Sequence, residues 1–594
     1  MSTNVESGQG EPEGLVTSKR PWGQILWTSG VLLALALFMG VFYKQTFIGL
    51  TDRHAMDVAQ VARNVASGRG FTTNLIRPFN VALIGSEGVQ NRELNNAPAF
   101  PYAVAAAFKL RSPSDQVVAW VSILFGLLAI AGTFFLGKLL FNWRVGLLAA
   151  AALGTSAPVL KAATSGTEWT MAAFLFVSMQ LVIALHHRST LGQSRLAGPA
   201  CAAACAVLLA LLYMTNHILL LLVIPLAVYF AVTGEGRKLS LIVFAAVALL
   251  AVAPWAYRNV TSAGGSVLGA NAWDIMSHTT AFPGDMLCRS TDAANLSILR
   301  VLLFPLEHFW AFAAKLMTGT SDMLQGVIVL LGLAIVPFAL VSVLYKFRIP
   351  SANAVRGFAY GAGALIVISF ALFSVDAHAV IVLAPVIAVF GSAYFMLLLD
   401  AKKLHPVYAR AVMAVVVLVT CWSALSSAIW RSDLEEQGKA LAATMILGDQ
   451  FKGVMYTDVP WAIAWRTSGL GVWLPCKDED VYELSSKGLP LIEAILTPEC
   501  ESYLPTDTWY VMHRFQFWRD YLKDPTAPAA KSRISSLAAR PDMTVGKVER
   551  GLREMKRQLP ISESINGCSA ERFPDALAPD EFIIVTCPPQ ITSR

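Results

Sequence analysis

Long apolar runs separated by short polar connectors dominate the first 430 residues of this chain. A helix needs about 20 apolar residues to cross the hydrocarbon core of a bilayer. The pattern predicts about eleven membrane-spanning helices, near residues 25–43, 116–138, 145–162, 167–185, 198–214, 217–233, 240–256, 325–345, 357–373, 379–399 and 409–429. Polar residues between Tyr213 and His217 interrupt the pair at 198–233, a pattern that also fits two half-length helices.

After residue 430 the pattern changes, because short apolar runs there alternate with polar helical stretches. This alternation favours a small α/β domain with a central sheet. The predicted strands lie near residues 453–456, 471–474, 508–512 and 582–585, and the predicted helices near 481–487 and 548–558. The sequence thus predicts a mainly α, polytopic membrane protein with a cytoplasmic tail at 1–24, a transmembrane domain at 25–429 and an α/β extracytoplasmic domain at 430–594.

The distribution of charge supports this division. Only 14% of the 594 residues are charged, compared with about 25% in soluble domains. Of the 86 charged residues (46 basic plus 40 acidic), 42 follow residue 430, so the first 430 residues are strongly depleted in charge. This composition excludes an ordinary soluble enzyme. The net charge of +6, without clusters of basic and aromatic residues, does not indicate nucleic-acid binding.

The connectors predict how the chain is oriented. Lysine and arginine concentrate in short connectors on one side, which the positive-inside rule assigns to the cytoplasm. The first apolar run is followed by no small-residue cleavage site, so it is predicted to be a retained anchor. With an odd number of spans, residues 44–115, 257–323 and 430–594 lie together on the outer face of the cell inner (plasma) membrane.

Cysteine usage is compatible with that topology. Four of the eight cysteines, Cys476, Cys500, Cys568 and Cys587, lie in the polar C-terminal region. In an oxidising compartment the simplest pairing joins Cys476 to Cys500 and Cys568 to Cys587, although four cysteines allow three connectivities. The alternative is four buried free thiols. A zinc site is disfavoured because the sequence has no C-x-x-C pair.

Ionisable residues gather in the predicted outer loops rather than inside the spans. A transporter would be expected to carry such residues within its spans and to show internal repeats with broken helices, and neither feature is apparent. The first outer loop is predicted to form two short interfacial helices, at 51–66 and 96–110. Any chemistry is therefore predicted at the outer membrane surface.

The first outer loop carries the most specific sequence motifs. It contains D-x-x-A-M-D-x-A-Q-V-A-R-N-V-A-S-G-R-G-F from Asp52 to Phe71 and N-A-P-A-F-P-Y from Asn96. Further on come S-G-T-E ending at Glu168, P-W-A-Y-R-N ending at Asn259, and D-A-H at 376–378. In order and spacing, these motifs resemble the C-type glycosyltransferases, in particular the bacterial branch related to protein O-mannosyltransferases and lipid A aminoarabinose transferase.

The resemblance covers roughly residues 25–475, and it includes departures from the family pattern. The family's usual histidine-proline pair is Asn96-Ala97 in this chain, and its arginine-tyrosine pair is replaced around His378. The resemblance implies a sugar transfer from a polyprenyl-phosphate donor to an acceptor hydroxyl on a glycan, lipid or protein, direct and inverting. The alternative is a non-catalytic membrane scaffold or a transporter of lipid-linked sugars.

Three carboxylates are candidates for catalysis. Asp52 precedes a predicted helix, so it is either an N-cap or the general base that takes the proton of the acceptor hydroxyl. Asp57 is the competing candidate for the base. Glu168 stands at the outer end of a predicted span, where it either caps that helix or joins the cleft as a second carboxylate that orients the sugar or helps to hold a metal ion.

The candidate phosphate ligands are cations near the outer face. Arg258 is either a contact to the donor phosphate or an interfacial anchor beside Trp255 and Tyr257, and Arg77 and Lys161 are weaker candidates. Candidate acceptor or sugar contacts are His54, Asn96 and His378. No outer histidine has a second ligand at metal-binding spacing, so no obligatory metal is predicted, although a divalent ion remains open.

Overall fold

The fold is described by a computed structural model. The described residues are 21–84, 91–188, 197–233, 236–262, 265–291, 297–374, 376–403, 405–429, 452–475, 478–491, 493–496, 562–565, 568–573 and 582–586. In the last four ranges only the backbone is described.

Helices account for most of the chain up to residue 429. The α-helices are α1 (Pro21–Thr46), α2 (Arg53–Ala66), α3 (Pro78–Ile84), α4 (Ala99–Leu110), α5 (Asp115–Leu140), α6 (Trp143–Gly154), α7 (Ala157–Ser165), α8 (Trp169–Arg188), α9 (Ala197–Thr215), α10 (Val223–Val232), α11 (Arg237–Ser262), α12 (Met286–Arg289), α13 (Ile298–Glu307), α14 (Phe309–Leu330), α15 (Gly332–Ser342), α16 (Pro350–Phe373), α17 (Ala384–Ala401) and α18 (Pro406–Ile429). Short 3-10 helices lie at His217–Leu222, Gly269–Ile275 and Ala377–Leu383.

Eight helices in the described part of the chain are long and apolar enough to cross a membrane, or up to ten if each of two bent pairs counts as one span. They match eight of the predicted spans, and they support the prediction of a multi-pass membrane protein. The eight are Gly23–Thr46, Asp115–Leu140, Trp169–His187, Ala197–Thr215, Arg237–Ser262, Pro350–Phe373, Ala377–Ala401 and Val407–Ile429.

The three remaining predicted spans are not single straight helices. The 145–162 span is α6 and α7 joined at 62°, because Pro158 starts a new helix. The 325–345 span falls across α14 and α15, which meet at 115°, and Gly332 between them has a φ of +63° that ends the first helix. The 217–233 span is a shorter apolar helix, His217–Val232, as the polar interruption before it allowed.

A mixed sheet combines one strand of the first loop with six strands that follow residue 452. Its strands are β1 (Leu75–Ile76), β2 (Val454–Thr457), β3 (Leu470–Trp473), β4 (Glu493–Leu496), β5 (Ser562–Ile565), β6 (Cys568–Phe573) and β7 (Phe582–Thr586), in the order β1-β3-β2-β4-β7-β6-β5. The first four strands in this order are parallel, and the others pair antiparallel. Two further helices, α19 (Pro460–Arg466) and α20 (Asp478–Ser486), lie between these strands in the sequence.

The sheet joins the first loop (residues 44–115) to the C-terminal segment, which is the chain after residue 430. β1 belongs to the first loop, yet it pairs in parallel with β3, with Leu75 opposite Gly471 and Ile76 opposite Val472. Gly471 sits so close to the Pro460 carbonyl that a Cβ atom there would lie 2.5 Å from its oxygen. A side chain at position 471 would therefore force α19 and β3 apart.

Helix α2 is buried on both its apolar and its polar face. Asp57, Gln60 and Asn64, which the amphipathic pattern placed on the polar face, are each at most 2% exposed. Their partners are polar groups of the same loop: Gln60 donates to Thr73 Oγ1 and accepts from the Asn74 amide, and Asn64 donates to Asn74 Oδ1. The helix thus lies inside the protein rather than at an interface, because the loop supplies a hydrogen-bond partner for each of these groups.

Two charged side chains, one on α2 and one on α5, hold α19 in place. Arg63 of α2 donates to the carbonyls of Ala464, Trp465 and Thr467 at the end of α19, over 2.7 to 3.0 Å. Asp115, at the start of α5, accepts from Trp465 Nε1 at 2.7 Å and pairs with Arg466 at 2.9 Å.

We expect Arg63→Gln to weaken this contact. Loss of the charged hydrogen bonds to the α19 carbonyls should cost about 1.5–3 kcal/mol of stability. The change is measured as a lower thermal unfolding temperature of the purified protein in detergent. Arg69→Gln is the matched control, because Arg69 is an exposed arginine of the same loop whose side chain, within the described part of the chain, bonds to the Ser67 hydroxyl. Equal effects of the two substitutions would contradict this account of the contact.

Several sequence predictions fall on residues outside those described. They are the tail at 1–20, the strand at 508–512, the helix at 548–558 and the side chains of Cys476, Cys500, Cys568 and Cys587, whose disulfide pairing stays a prediction. The predicted strands at 453–456, 471–474 and 582–585 correspond to β2, β3 and β7, and the predicted helix at 481–487 corresponds to α20.

Candidate functional site

A cavity of about 500 Å³ lies where the ends of α8, α9 and α16 meet the first loop and the C-terminal segment. Its wall includes seven of the residues that the sequence singled out: Asp52, His54, Asp57, Arg77, Asn96, Glu168 and His378. The carboxyl groups of Asp274, Asp285 and Asp376 also line it. The cavity thus combines a group of charged and polar side chains with an apolar wall that includes Phe100, Trp169 and Ile218.

Asp52 is the N-cap of α2. Its Oδ1 accepts a hydrogen bond from the Ala55 amide at 2.8 Å, which satisfies one of the unpaired donors of the first turn. The side chain is only half-buried and lines the cavity. Capping therefore occupies one carboxylate oxygen, and the cap and base interpretations of Asp52 are compatible with each other.

Asp57 is held on both carboxylate oxygens. Oδ1 accepts from Gln60 at 2.9 Å, while Oδ2 accepts from Arg77 at 2.6 Å and from Asn96 at 2.9 Å. Burial alone would raise the pKa of Asp57, but the Arg77 guanidinium and these hydrogen bonds lower it below its ordinary value. Asp57 is thus a buried, ionised partner of Arg77.

Glu93 lies beside this pair and was not anticipated from the sequence. It is fully buried, and its Oε1 accepts from the amides of Asn95 and Asn96 at 2.7 and 2.8 Å. Burial and the nearby Asp57 charge raise the pKa of Glu93, against the opposing effect of Arg77. Arg77 therefore lies beside two buried carboxyl groups whose pKa values are shifted in opposite directions.

His54 and Glu168 form a hydrogen-bonded pair at the cavity wall. His54 Nε2 lies 2.7 Å from Glu168 Oε2; the glutamate side chain is 4% exposed and the imidazole 39% exposed. Burial would lower the pKa of His54, but the Glu168 carboxylate, together with Asp52 and Asp57, raises it above its ordinary value. Glu168 thus orients the imidazole and favours its charged form.

His378 is anchored by the residue that begins the same 3-10 helix. Asp376 Oδ1 accepts from the His378 amide at 2.9 Å and lies 3.0 Å from its Nδ1. Burial would raise the pKa of Asp376, and the contacts to His378 lower it. In the sequence this contact corresponds to the Asp-x-His spacing at 376–378, at the start of a helix.

Arg258 and Lys161 are not among the residues that line the cavity. Arg258 donates to the Glu93 carbonyl oxygen and to Asn259 Oδ1, and its guanidinium stacks on Trp255 and Phe71, 4.8 and 5.4 Å from the ring centroids. Lys161 is exposed on α7. The structure therefore does not bring these two candidate phosphate ligands together with the other seven residues.

Two further features of the cavity involve residues that were not candidates in the sequence analysis. His217 accepts from Trp255 Nε1 at 3.1 Å through its Nε2; because an indole nitrogen only donates, the neutral ring carries its proton on Nδ1. Trp461 and Trp473 come from the C-terminal segment, and their rings meet edge to face at 5.7 Å. The polar break at 213–217 was the one sequence signal for His217.

The donor groups present do not fit a metal ion. Among the described residues, no group of three or more His, Cys, Asp or Glu side chains is placed to hold one. Four of the six carboxylates that line the cavity are engaged by Arg53, His54, Arg77 and His378.

Comparisons with known proteins show the fold. No model of a known protein family matches the chain, and no curated protein is similar to it in sequence. Among solved structures, the archaeal oligosaccharyltransferase AglB from Archaeoglobus fulgidus, in complex with an inhibitory peptide and a dolichol-phosphate, aligns over 83% of this chain and 72% of its own, at 13% identity and a TM-score of 0.54. The apo form of the Archaeoglobus fulgidus oligosaccharyltransferase aligns over 80% and 70%, at 11% identity and a TM-score of 0.52.

At these identities the likeness shows architecture and not activity. The shared architecture spans most of both chains. It confirms the sequence prediction of a mainly α, polytopic membrane protein. The chain therefore has the fold of the polytopic oligosaccharyltransferases.

Proposed function

We propose that this protein is a membrane glycosyltransferase that moves a sugar from a polyprenyl-phosphate donor to an acceptor hydroxyl at the outer face of the cell inner membrane. The observation that carries the proposal is the cavity at the ends of the long helices, where the half-buried Asp52 carboxylate faces the same space as His54 and Arg77. The fold is that of a protein whose solved complex contains a dolichol-phosphate, which supports a lipid phosphate as the donor.

The proposed reaction is a single displacement. The Asp52 carboxylate takes the proton of the acceptor hydroxyl while the acceptor oxygen forms a bond to the anomeric carbon of the sugar. The bond from that carbon to the phosphate oxygen breaks, and its electron pair leaves with the polyprenyl phosphate. The configuration at the anomeric carbon is inverted, and no glycosyl-enzyme intermediate is needed.

The hydrogen bonding favours Asp52 over Asp57 as the base. Both oxygens of Asp57 accept hydrogen bonds, and the Arg77 charge lowers its pKa, so Asp57 is the weaker base although it lines the same cavity. Asp52 uses Oδ1 for the helix cap and is partly exposed to the cavity. We therefore assign the base to Asp52, and to Asp57 the task of holding Arg77.

The transfer is tested with purified protein in lipid nanodiscs. A panel of radiolabelled polyprenyl-phosphate sugars is incubated with lipid, glycan and protein fractions extracted from the envelope of cells that lack the protein. We expect one donor to be consumed and its label to appear in one fraction. If every donor is recovered intact, the non-catalytic scaffold becomes the better account of the fold.

Activity should persist without added metal, because four of the six cavity carboxylates are engaged by cationic side chains of the chain itself. Transfer measured in excess chelator should stay within about twofold of the untreated rate. Loss of transfer in chelator, restored by one divalent ion, would contradict this expectation and assign a metal to the reaction.

A further inference from the structure

The cavity contains more carboxyl groups than permanent cations. Six carboxyl groups line it, those of Asp52, Asp57, Glu168, Asp274, Asp285 and Asp376, compared with two arginines, Arg53 and Arg77. A donor phosphate brings further negative charge, which an acidic pocket repels unless a cation faces it. The phosphate of the proposed donor therefore requires a positive group with free contact surface.

Neither arginine offers the phosphate an unshared positive charge. Arg77 is 12% exposed and bound to Asp57 at 2.6 Å. Arg53 has free surface, with 59% of its side chain exposed, but its charge is shared with Asp285 at 3.1 Å and is screened by solvent. His54 differs from both, because its imidazole is 39% exposed on a wall of the cavity while the carboxylate that it contacts, Glu168, is only 4% exposed.

We propose that His54, held by Glu168, is the imidazolium that binds the donor phosphate and stabilises it as it leaves. This assignment rests on the proposed function, and it makes Glu168 a positioning residue that acts through His54. One ring nitrogen contacts the glutamate, and the other is available to donate to a phosphate oxygen. The hydrogen bond strengthens as the phosphate gains charge in the transition state.

The surroundings of His54 keep it charged at neutral pH. Asp52 and Asp57 act on it from its own helix, Glu168 from the start of α8, and Asp376 from the residue before the 3-10 helix Ala377–Leu383. Arg53, next to it in the sequence, and His378 line the same cavity. Since the pKa of His54 is raised, its positive charge is present at neutral pH and is lost as pH rises through that raised pKa. Phosphate binding should decline over the same alkaline range.

The test measures binding of farnesyl phosphate, by calorimetry, to the full chain in nanodiscs between pH 7 and 10. In this range the phosphate is about nine-tenths or more in its doubly ionised form, since its second pKa is about 6, so the larger changes with pH report the protein. Burial raises the pKa of the cavity residue Asp274 to about 7, so its ionisation weakens binding near pH 7 in every variant. Above pH 8 we expect affinity to fall in the wild type, because the His54 charge is lost near pH 10. In His54→Gln affinity should be roughly 10- to 100-fold weaker at pH 7, and the fall above pH 8 should be absent.

Two variants separate a charge contact from a structural one. His54→Lys keeps a positive charge, so it should recover most of the affinity at pH 7 and hold it to higher pH than the wild type. Glu168→Gln removes the neighbouring anion, so its affinity should begin to fall at lower pH. His308→Gln, which changes an exposed histidine outside the cavity wall, is the control and should follow the wild-type curve.

The outcomes distinguish this inference from the proposed function. If the wild type binds farnesyl phosphate no better than farnesol at any pH, the lipid-phosphate donor is wrong. If the wild type binds it, but His54→Gln and Glu168→Gln bind it with the wild-type affinity and pH profile, the donor stands and the role of His54 is overturned. Should His54→Gln fail to fold, the curves of His54→Lys and Glu168→Gln decide the question.

Discussion

The Asp52→Asn variant should bind donor normally and lose two to four orders of magnitude in turnover. Asparagine caps helices as well as aspartate, so the bond to the Ala55 amide and the start of α2 are preserved. The amide cannot take a proton from the acceptor, and general-base assistance contributes about 10²- to 10⁴-fold. Single-turnover transfer and donor binding, measured on the same preparation, check the two parts of the expectation.

Asp52→Ala provides the comparison that isolates the cap. It removes both the base and the cap, so it should show the same loss of turnover together with about 1 kcal/mol of lost stability. Asp52→Asn should unfold at the wild-type temperature. Full transfer activity in Asp52→Asn would mean that Asp52 is only a helix cap and that the base lies elsewhere.

The Arg77→Met variant should lose about 3–5 kcal/mol of stability at neutral pH. Methionine fills a similar volume, but it leaves the buried carboxyl groups of Asp57 and Glu93 without their cation. The loss is measured as a lower thermal unfolding temperature in detergent. Arg53→Met is the matched control, since Arg53 is an exposed cavity arginine whose ion pair contributes about 0–1 kcal/mol.

The stability of the wild type and that of Arg77→Met should depend on pH in opposite directions. In the wild type the pKa of Asp57 is lowered, so its contribution is present above the ordinary carboxyl pKa and is lost as pH falls through the lowered value. In Arg77→Met, burial raises the pKa of both carboxyl groups. That variant should regain stability as pH falls from 8 to 5, and a wild-type pH profile would show that the pair is not a buried ion pair.

The sequence predicted the membrane part of the fold well, because the apolar run that crosses a bilayer is a local property. It was less informative where a helix breaks. The turn at Gly332 interrupts an apolar run without any change in hydropathy, so 325–345 was predicted as one span. The two-residue strand β1 left no periodic pattern, and its pairing with β3 spans almost 400 residues of sequence.

The candidate site was predicted best in the first loop, where Asp52, His54, Asp57, Arg77 and Asn96 are close in sequence and line one cavity. Arg258 was different. Its motif suggested a phosphate contact, but the motif does not reveal that the Glu93 carbonyl and two aromatic rings take up the guanidinium. Glu93 and His217 gave almost no signal, because their burial is set by tertiary packing.

The pairing of β1 with β3 also sets the order in which the protein can mature during synthesis. Trp461 and Trp473 form part of the cavity wall, so the wall stays incomplete until translation has passed residue 473, after every predicted span has been made. The first loop must wait for its partner strand while the intervening helices enter the bilayer. Ribosome-bound chains that stop before this point carry Asp52 and His54 but have an unfinished pocket.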